Sequence, residues 1–175
     1  MIQVELASLT VDSRGAPVVI LRPIEDDRDH ARLLPIFIGV QEATAIMLAA
    51  EGTTAARPMS YDLMVRLLEA LGGSVVGIAV TRLEGGTFYA EITLETPSGR
   101  QWIDARPSDS IALAMRVGAP MFVAKAVLDE AAVTEEEASG ERATPASPPS
   151  EAEQESQIAA FTDFLDKVDP EDFKG

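Results

Sequence analysis

Apolar and polar residues alternate loosely from Ile2 to Val11, with Ile2, Val4 and Leu6 on one side, and this period predicts a strand. Asp12-Ser13-Arg14-Gly15 supplies turn chemistry, and Pro17 to Leu21 reads as the returning strand. Leu33 to Ile38 is a third, mostly apolar strand whose Pro35 cannot donate to a ladder, so an edge or a bulge is expected. After Gly39 the period lengthens. Val40, Ala43, Met47 and Ala50 mark the inner stripe of a first helix that ends at Gly52. A second helix is expected from Ser60 to Leu71, carrying Leu63, Leu67, Leu68 and Leu71, and stopping at Gly72-Gly73.

Val75 to Val80 has the look of a buried strand. Thr87 to Leu94 alternates cleanly after the Gly85-Gly86 turn, with Phe88, Ala90, Ile92 and Leu94 on one face. Gln101 to Ala105 pairs after a turn at Pro97-Ser98-Gly99, and a third helix runs from Ser108 to Val117 with Gly118 at its end. Met121 to Val123 is a short last strand, and Leu128 to Ala132 begins a further helical stretch. Strands that come in runs joined by hairpin turns predict an α+β fold with a largely antiparallel sheet and three helices, rather than βαβ units.

Beyond residue 132 the pattern changes. Residues 133–157 are rich in Pro, Ser, Ala and Glu and lack the apolar residues to offset the entropy of ordering, so a disordered acidic linker is expected. In residues 158–175, Ile158, Phe161, Leu165 and Val168 recur at helical spacing until Asp169-Pro170. Such a short amphipathic helix is marginal alone. It is expected to dock on its own domain or a sister subunit, with recruitment of another protein as the sharper alternative.

Charge divides the same way. The net charge of −15 over 175 residues splits into −4 for residues 1–128 and −11 for residues 129–175. Neither part has the basic footprint of a protein that grips a duplex by its phosphates. The absence of cysteine excludes disulfides, a thiolate nucleophile and Cys-ligated zinc, and one histidine, His30, excludes a site needing two imidazoles from this chain. No apolar run is long enough to span a bilayer and the N-terminus lacks a secretory pattern, so a reducing cytoplasm is the expected location.

Two segments echo one another. Ala56-Arg57-Pro58-Met59-Ser60 precedes the second helix, and Ala105-Arg106-Pro107-Ser108-Asp109 precedes the third. As structure these are helix starts: proline suits the first turn, Ser60 or Ser108 suits a cap, and Asp62 and Asp109 complement the helix dipole. As chemistry, Asp104 and Asp109 flank Arg106 at a strand-to-helix junction, where two carboxylates would hold Mg²⁺ or Mn²⁺, with Glu42 as a further oxygen ligand. Arg57 and Arg106 would then clamp a phosphate, with Arg66 and Arg116 as further members of a local patch. Glu91 reads as a solvated strand position, His30 as part of a charged loop, and Trp102 has no aromatic companions for a base-stacking platform.

Several of these segments together resemble the bifunctional nuclease domain family. The resemblance rests on Leu34-Pro35-Ile36-Phe37-Ile38-Gly39 with Glu42-Ala43, on Arg57-Pro58 with Asp62-Leu63, on Gly86-Thr87-Phe88-Tyr89-Ala90, and most specifically on Ile103 to Ala114. It covers about residues 1–132 and implies a compact α+β domain that self-associates and hydrolyses DNA and RNA. Many members of the family carry histidine where this chain has Tyr61, and tyrosine is a poor general base at neutral pH. Two functions follow: a divalent-metal-dependent nuclease of low sequence specificity using Asp104, Asp109, Glu42, Arg106 and Arg57, or a non-enzymatic module whose acidic tail engages a protein partner.

Overall fold

The computed structural model describes residues 1–25, 32–53 and 55–134. His30, nearly all of the expected linker and the expected C-terminal helix lie outside them. Along the chain run β1 (Ile2–Val11), β2 (Pro17–Pro23), β3 (Leu34–Phe37), α1 (Val40–Ala50), α2 (Ser60–Ala70), β4 (Ser74–Glu84), β5 (Thr87–Thr96), β6 (Gly99–Ala105), α3 (Pro107–Val117), β7 (Met121–Val123) and α4 (Lys125–Ala131). None of these helices is long and apolar enough to cross a membrane.

The strands form one seven-stranded sheet in the order β3-β2-β1-β7-β4-β5-β6. The expected class, α+β, is present, with two departures in detail. The sheet is mixed, because β7 lies parallel to β4 while pairing antiparallel with β1. The described residues also hold a fourth helix, α4, whose Val127 and Leu128 are buried. Three residues of β7 suffice to join the two antiparallel halves: Met121 and Val123 are both buried between β1 and β4.

Alternation decides which side chains face the helices. In β5, Ala90, Ile92 and Leu94 are buried under α3 while Glu91 and Thr93 face the other way. The core joins these to Val4, Val19, Leu21, Leu34, Ile36, Ile46, Ile78, Val80 and Ile111 in one cluster. In β1 the register shifts between Leu6 and Ser8, so the inward phase passes from Ile2, Val4 and Leu6 to Leu9. Pro35 sits on the edge strand β3, where its missing N–H costs no ladder bond.

The inner stripe of α1 is out of phase with the expectation. Ala43, Ala45 and Ile46 are buried, whereas Val40 and Met47 are exposed. The helix is apolar nearly all round, so its sequence offered little contrast between faces. In α2 no residue is fully buried: Leu68 and Val65 pack toward the core, and Leu63, Leu67 and Leu71 face solvent.

Candidate functional site

The strand-to-helix corner after β6 is built by local rules. Pro107 occupies the first turn of α3, Arg106 is the extended N-cap residue, and Gly118 closes the helix in the left-handed region at φ 69°. The expected serine caps are not used. Ser108 is buried, and the hydroxyl of Ser110 donates to the carbonyl of Arg106 at 3.0 Å. At α2 the N-cap is Met59, whose backbone N–H donates to Asp62 Oδ2 at 2.8 Å.

This corner turns Arg106 back over its own helix. Its Nε donates to Asp109 Oδ2 at 2.7 Å, and its Nη2 donates to Asp109 Oδ1 at 3.0 Å and to Glu42 Oε1 at 2.7 Å. The guanidinium side chain remains 65% exposed, against 15% for Glu42 and 28% for Asp109. A cation is thus held at the surface by two carboxylates from below. Its Nη1 has no hydrogen-bond partner among the described residues.

Tyr61 of α2 completes the cluster by donating its phenolic hydrogen to Asp109 Oδ1 at 2.6 Å. Burial of the phenol, with the Asp109 hydrogen bond and the charges of Asp109 and Glu42, raises its pKa well above the ordinary value. Burial of Asp109 favours its protonated form, but hydrogen bonds from Arg106 and Tyr61 outweigh this and hold its pKa below the usual carboxylate value. Hydrogen bonding to Asp109 and then Glu42 raises that of Arg106. At neutral pH Asp109 is a carboxylate, Arg106 a guanidinium and Tyr61 a neutral phenol.

A second arginine ties the helices beneath. Arg116 Nε donates to Asp62 Oδ1 at 2.8 Å, its Nη1 donates to the carbonyls of Ala45 and Ala112, and its Cζ lies 5.3 Å from the centroid of the Tyr61 ring. Its side chain is 11% exposed, so it staples α1, α2 and α3 and has little surface to offer a phosphate. The backbone N–H of Met59 and then Arg116 keep the Asp62 pKa low. Arg57 is exposed in the segment before α2, and Arg66 lines a surface hollow between α1 and α2 with Asp62, Glu69 and Arg116.

The structure brings together Glu42, Arg106 and Asp109 from the expected set, and adds Tyr61. It does not bring Asp104 to them. Asp104 is paired across the strands with Glu91, on the sheet face turned away from the helices, whereas Ala105 pairs with the buried Ala90. Strand alternation forces that separation: five residues in sequence carry Asp104 and Asp109 to opposite sides of the sheet.

The expectation of one Mg²⁺ or Mn²⁺ between Asp104, Asp109 and Glu42 therefore does not fit these residues. No group of three His, Asp or Glu side chains converges as a ligand set among the described residues. Both oxygens of Asp109 already accept from Arg106 or Tyr61.

Glu42 differs from Asp109 in one respect. Its Oε1 is taken by Arg106, but its Oε2 has no hydrogen-bond partner among the described residues and still touches solvent. It lies over Gly39, where a Cβ would stand 2.2 Å from it. Sequence reading singled out Glu42 only as an extra ligand and Tyr61 only as a departure from the family. The signal that links them is the pairing of α1, α2 and α3 around Arg106, which no local pattern carries.

An α+β domain with an exposed arginine held on two carboxylates at the start of α3 is the setting of this site. The chain belongs to the bifunctional nuclease domain family, whose model matches residues 19–136. It is 38% identical over 173 residues to the Mycobacterium tuberculosis proteins Uncharacterized protein MT1877 (strain CDC 1551 / Oshkosh) and Uncharacterized protein Rv1829 (strain ATCC 25618 / H37Rv), covering 98% of this chain and of each relative. It is 28% identical over 115 residues to Bifunctional nuclease 2 of Oryza sativa subsp. japonica, spanning 64% of this chain and 34% of the rice protein.

Proposed function

We propose that this protein is a nuclease that hydrolyses DNA and RNA phosphodiester bonds with little sequence preference, at the Glu42–Arg106–Asp109 cluster. The family and its rice relative support the reaction class. The observation that carries the assignment to these residues is the exposed Arg106 guanidinium, fixed on two carboxylates, beside a carboxylate oxygen that has no hydrogen-bond partner among the described residues and is not sealed from water.

In this reading Arg106 binds a non-bridging phosphate oxygen and favours the charge that develops there. Glu42 Oε2 accepts a proton from water, the hydroxide attacks phosphorus, and the bond to one sugar oxygen breaks as that oxygen takes a proton from solvent. Asp109 and Tyr61 position the guanidinium; Tyr61 keeps its own proton throughout. Arg57 supplies a second phosphate contact. No side chain in this scheme reads a base edge, hence the low sequence preference.

The test is cleavage of labelled single-stranded DNA and RNA by the purified full chain, in Mg²⁺, in Mn²⁺ and in chelator. Glu42→Gln and Arg106→Ala are expected to retain the fold and to lose about a hundredfold in rate. Cleavage by either variant at the wild-type rate overturns the reading. So does a wild-type protein that cleaves neither substrate under any of the three conditions.

A further inference from the structure

The sheet face turned away from the helices carries a hollow of about 440 Å³ that the proposed cleavage does not use. A register shift in β4 between Val75 and Gly77 sets Gly77 opposite Thr93 of β5. With Ala79 two positions on, Gly77 gives the hollow a floor almost free of side chains. Phe122 of β7 leans over that floor, where a Cβ on Gly77 would stand 3.8 Å from its Cε2. On the other side Trp102 of β6, 63% exposed, pairs with Thr93. It therefore stands two strands from Gly77, roughly 10 Å at about 4.8 Å per strand. Trp102 has no aromatic companion along its own strand, but Phe122 faces it across a gap that admits one small molecule.

Charge at this hollow is unbalanced. Glu91 lines it and has no hydrogen bond or ion pair among the described residues. Directly opposite on β6 is Asp104, equally without a partner, and a like-charge pair across strands costs stability. The arginines nearest in the sheet are committed elsewhere. Arg100 donates through Nε and Nη2 to Glu95, and Arg82 pairs with Glu84 while its Cζ lies 4.0 Å over the Tyr89 ring. The carboxylates of Glu91 and Asp104 are left without a counter-ion, beside an indole on which no cation of the described residues rests.

These features select a ligand. A metal ion would need a shell of oxygens, and no three carboxylate or histidine groups converge among the described residues. An aromatic face instead attracts a large, weakly hydrated cation, and a floor of Gly77 and Ala79 leaves room for its hydrocarbon body. We propose that this hollow binds an organic ammonium ion, its charge on Glu91 and over Trp102, its alkyl groups between Trp102 and Phe122. This is independent of the nuclease reading, because the hollow and the Glu42–Arg106–Asp109 cluster lie on opposite faces of the sheet. The Glu91–Asp104 repulsion is then a cost that the free protein bears and the bound cation relieves.

The probe is choline chloride, titrated into the full chain against potassium chloride at equal ionic strength and against 3,3-dimethylbutan-1-ol, which has the same shape and no charge. Trp102 is the single tryptophan, so its emission reports contact directly. Choline is expected to give a saturable change in emission and a higher urea midpoint. The alcohol is expected to bind at least about tenfold more weakly. Glu91→Gln removes one acid of the like-charge pair, so its urea midpoint without ligand is expected at or above that of wild type. Its choline Kd is expected to rise at least about tenfold, whereas a carboxylate with a purely structural role would lower the midpoint on removal. Trp102→Leu changes an exposed side chain, and calorimetry is expected to show a loss of similar size.

Emission that does not respond to choline up to about 50 mM, or responds equally to potassium, overturns the proposal. So does an alcohol that binds as tightly as choline, or a Glu91→Gln variant that binds choline as wild type does. Trp102 emission that shifts with protein concentration alone would assign the hollow to a second copy and overturn it too.

Discussion

The phenolic oxygen of Tyr61 stands 2.6 Å from Asp109 Oδ1 and joins α2 to the first turn of α3, across 48 residues of sequence. The same carboxylate receives Arg106, so the orientation of the exposed guanidinium depends on a residue of another helix.

Tyr61→Phe keeps the ring beside Arg116 and removes only the hydroxyl. It is expected to cost about 1.5–3 kcal/mol, as for a hydrogen bond to a charged acceptor, read as a lower urea midpoint with an unchanged m-value. Cleavage is expected to fall through lost orientation of Arg106, without a change in the pH profile near neutrality, because the raised phenol pKa keeps Tyr61 protonated there.

Acid sensitivity follows from Asp109 and Asp62, whose folded pKa values lie below their unfolded ones. Their contribution to stability is fully present above the unfolded value, about 3.9, and is lost as pH falls through the folded value. The urea midpoint of the wild type is expected to drop steeply below about pH 4. Asp109→Asn should start lower at neutral pH and show a shallower acid limb. An identical limb in that variant would exclude Asp109 as a source of the effect.

The arginines separate by burial. Arg116→Ala removes a nearly buried cation that serves Asp62 and two carbonyls, and is expected to cost about 2–4 kcal/mol in chemical denaturation. Arg57→Ala removes an exposed side chain and is expected to stay within about 0.5 kcal/mol of wild type, while weakening binding to single-stranded substrate.

Gly39→Ala tests the carboxylate proposed as base. The added methyl would lie 2.2 Å from Glu42 Oε2, the far end of a side chain that can swing away. The cost in stability is expected to be under about 1 kcal/mol, while cleavage falls as Glu42 leaves Arg106. Equal losses in Gly39→Ala and Glu42→Gln would tie activity to the position of that carboxylate.

Much of this was legible one element at a time. Period-2 alternation in Thr87 to Leu94 identified the buried face of β5, Pro35 left an edge or a bulge, of which the edge is what β3 occupies, and the Arg-Pro-Ser-Asp run with Gly118 marked both ends of α3. The phase of α1 was not legible, because Val40, Ala43, Ile46 and Met47 differ too little in polarity for a helical period to choose among them. Nor was the exposure of Leu63, Leu67 and Leu71, since an apolar stripe marks a face without telling what covers it.

By itself the sequence determined the α+β class, the family, the helix-start corner and the acidity of the chain beyond residue 128, because each is written in local period, local turn chemistry or composition. Tertiary structure alone decided that β7 runs parallel to β4, that Asp104 and Asp109 face opposite ways, and that Tyr61 and Glu42 meet at Arg106. Strand order and helix packing set those relations across tens of residues. A local period fixes the face on which a side chain lies, and only the packing of elements distant in sequence fixes what it meets there.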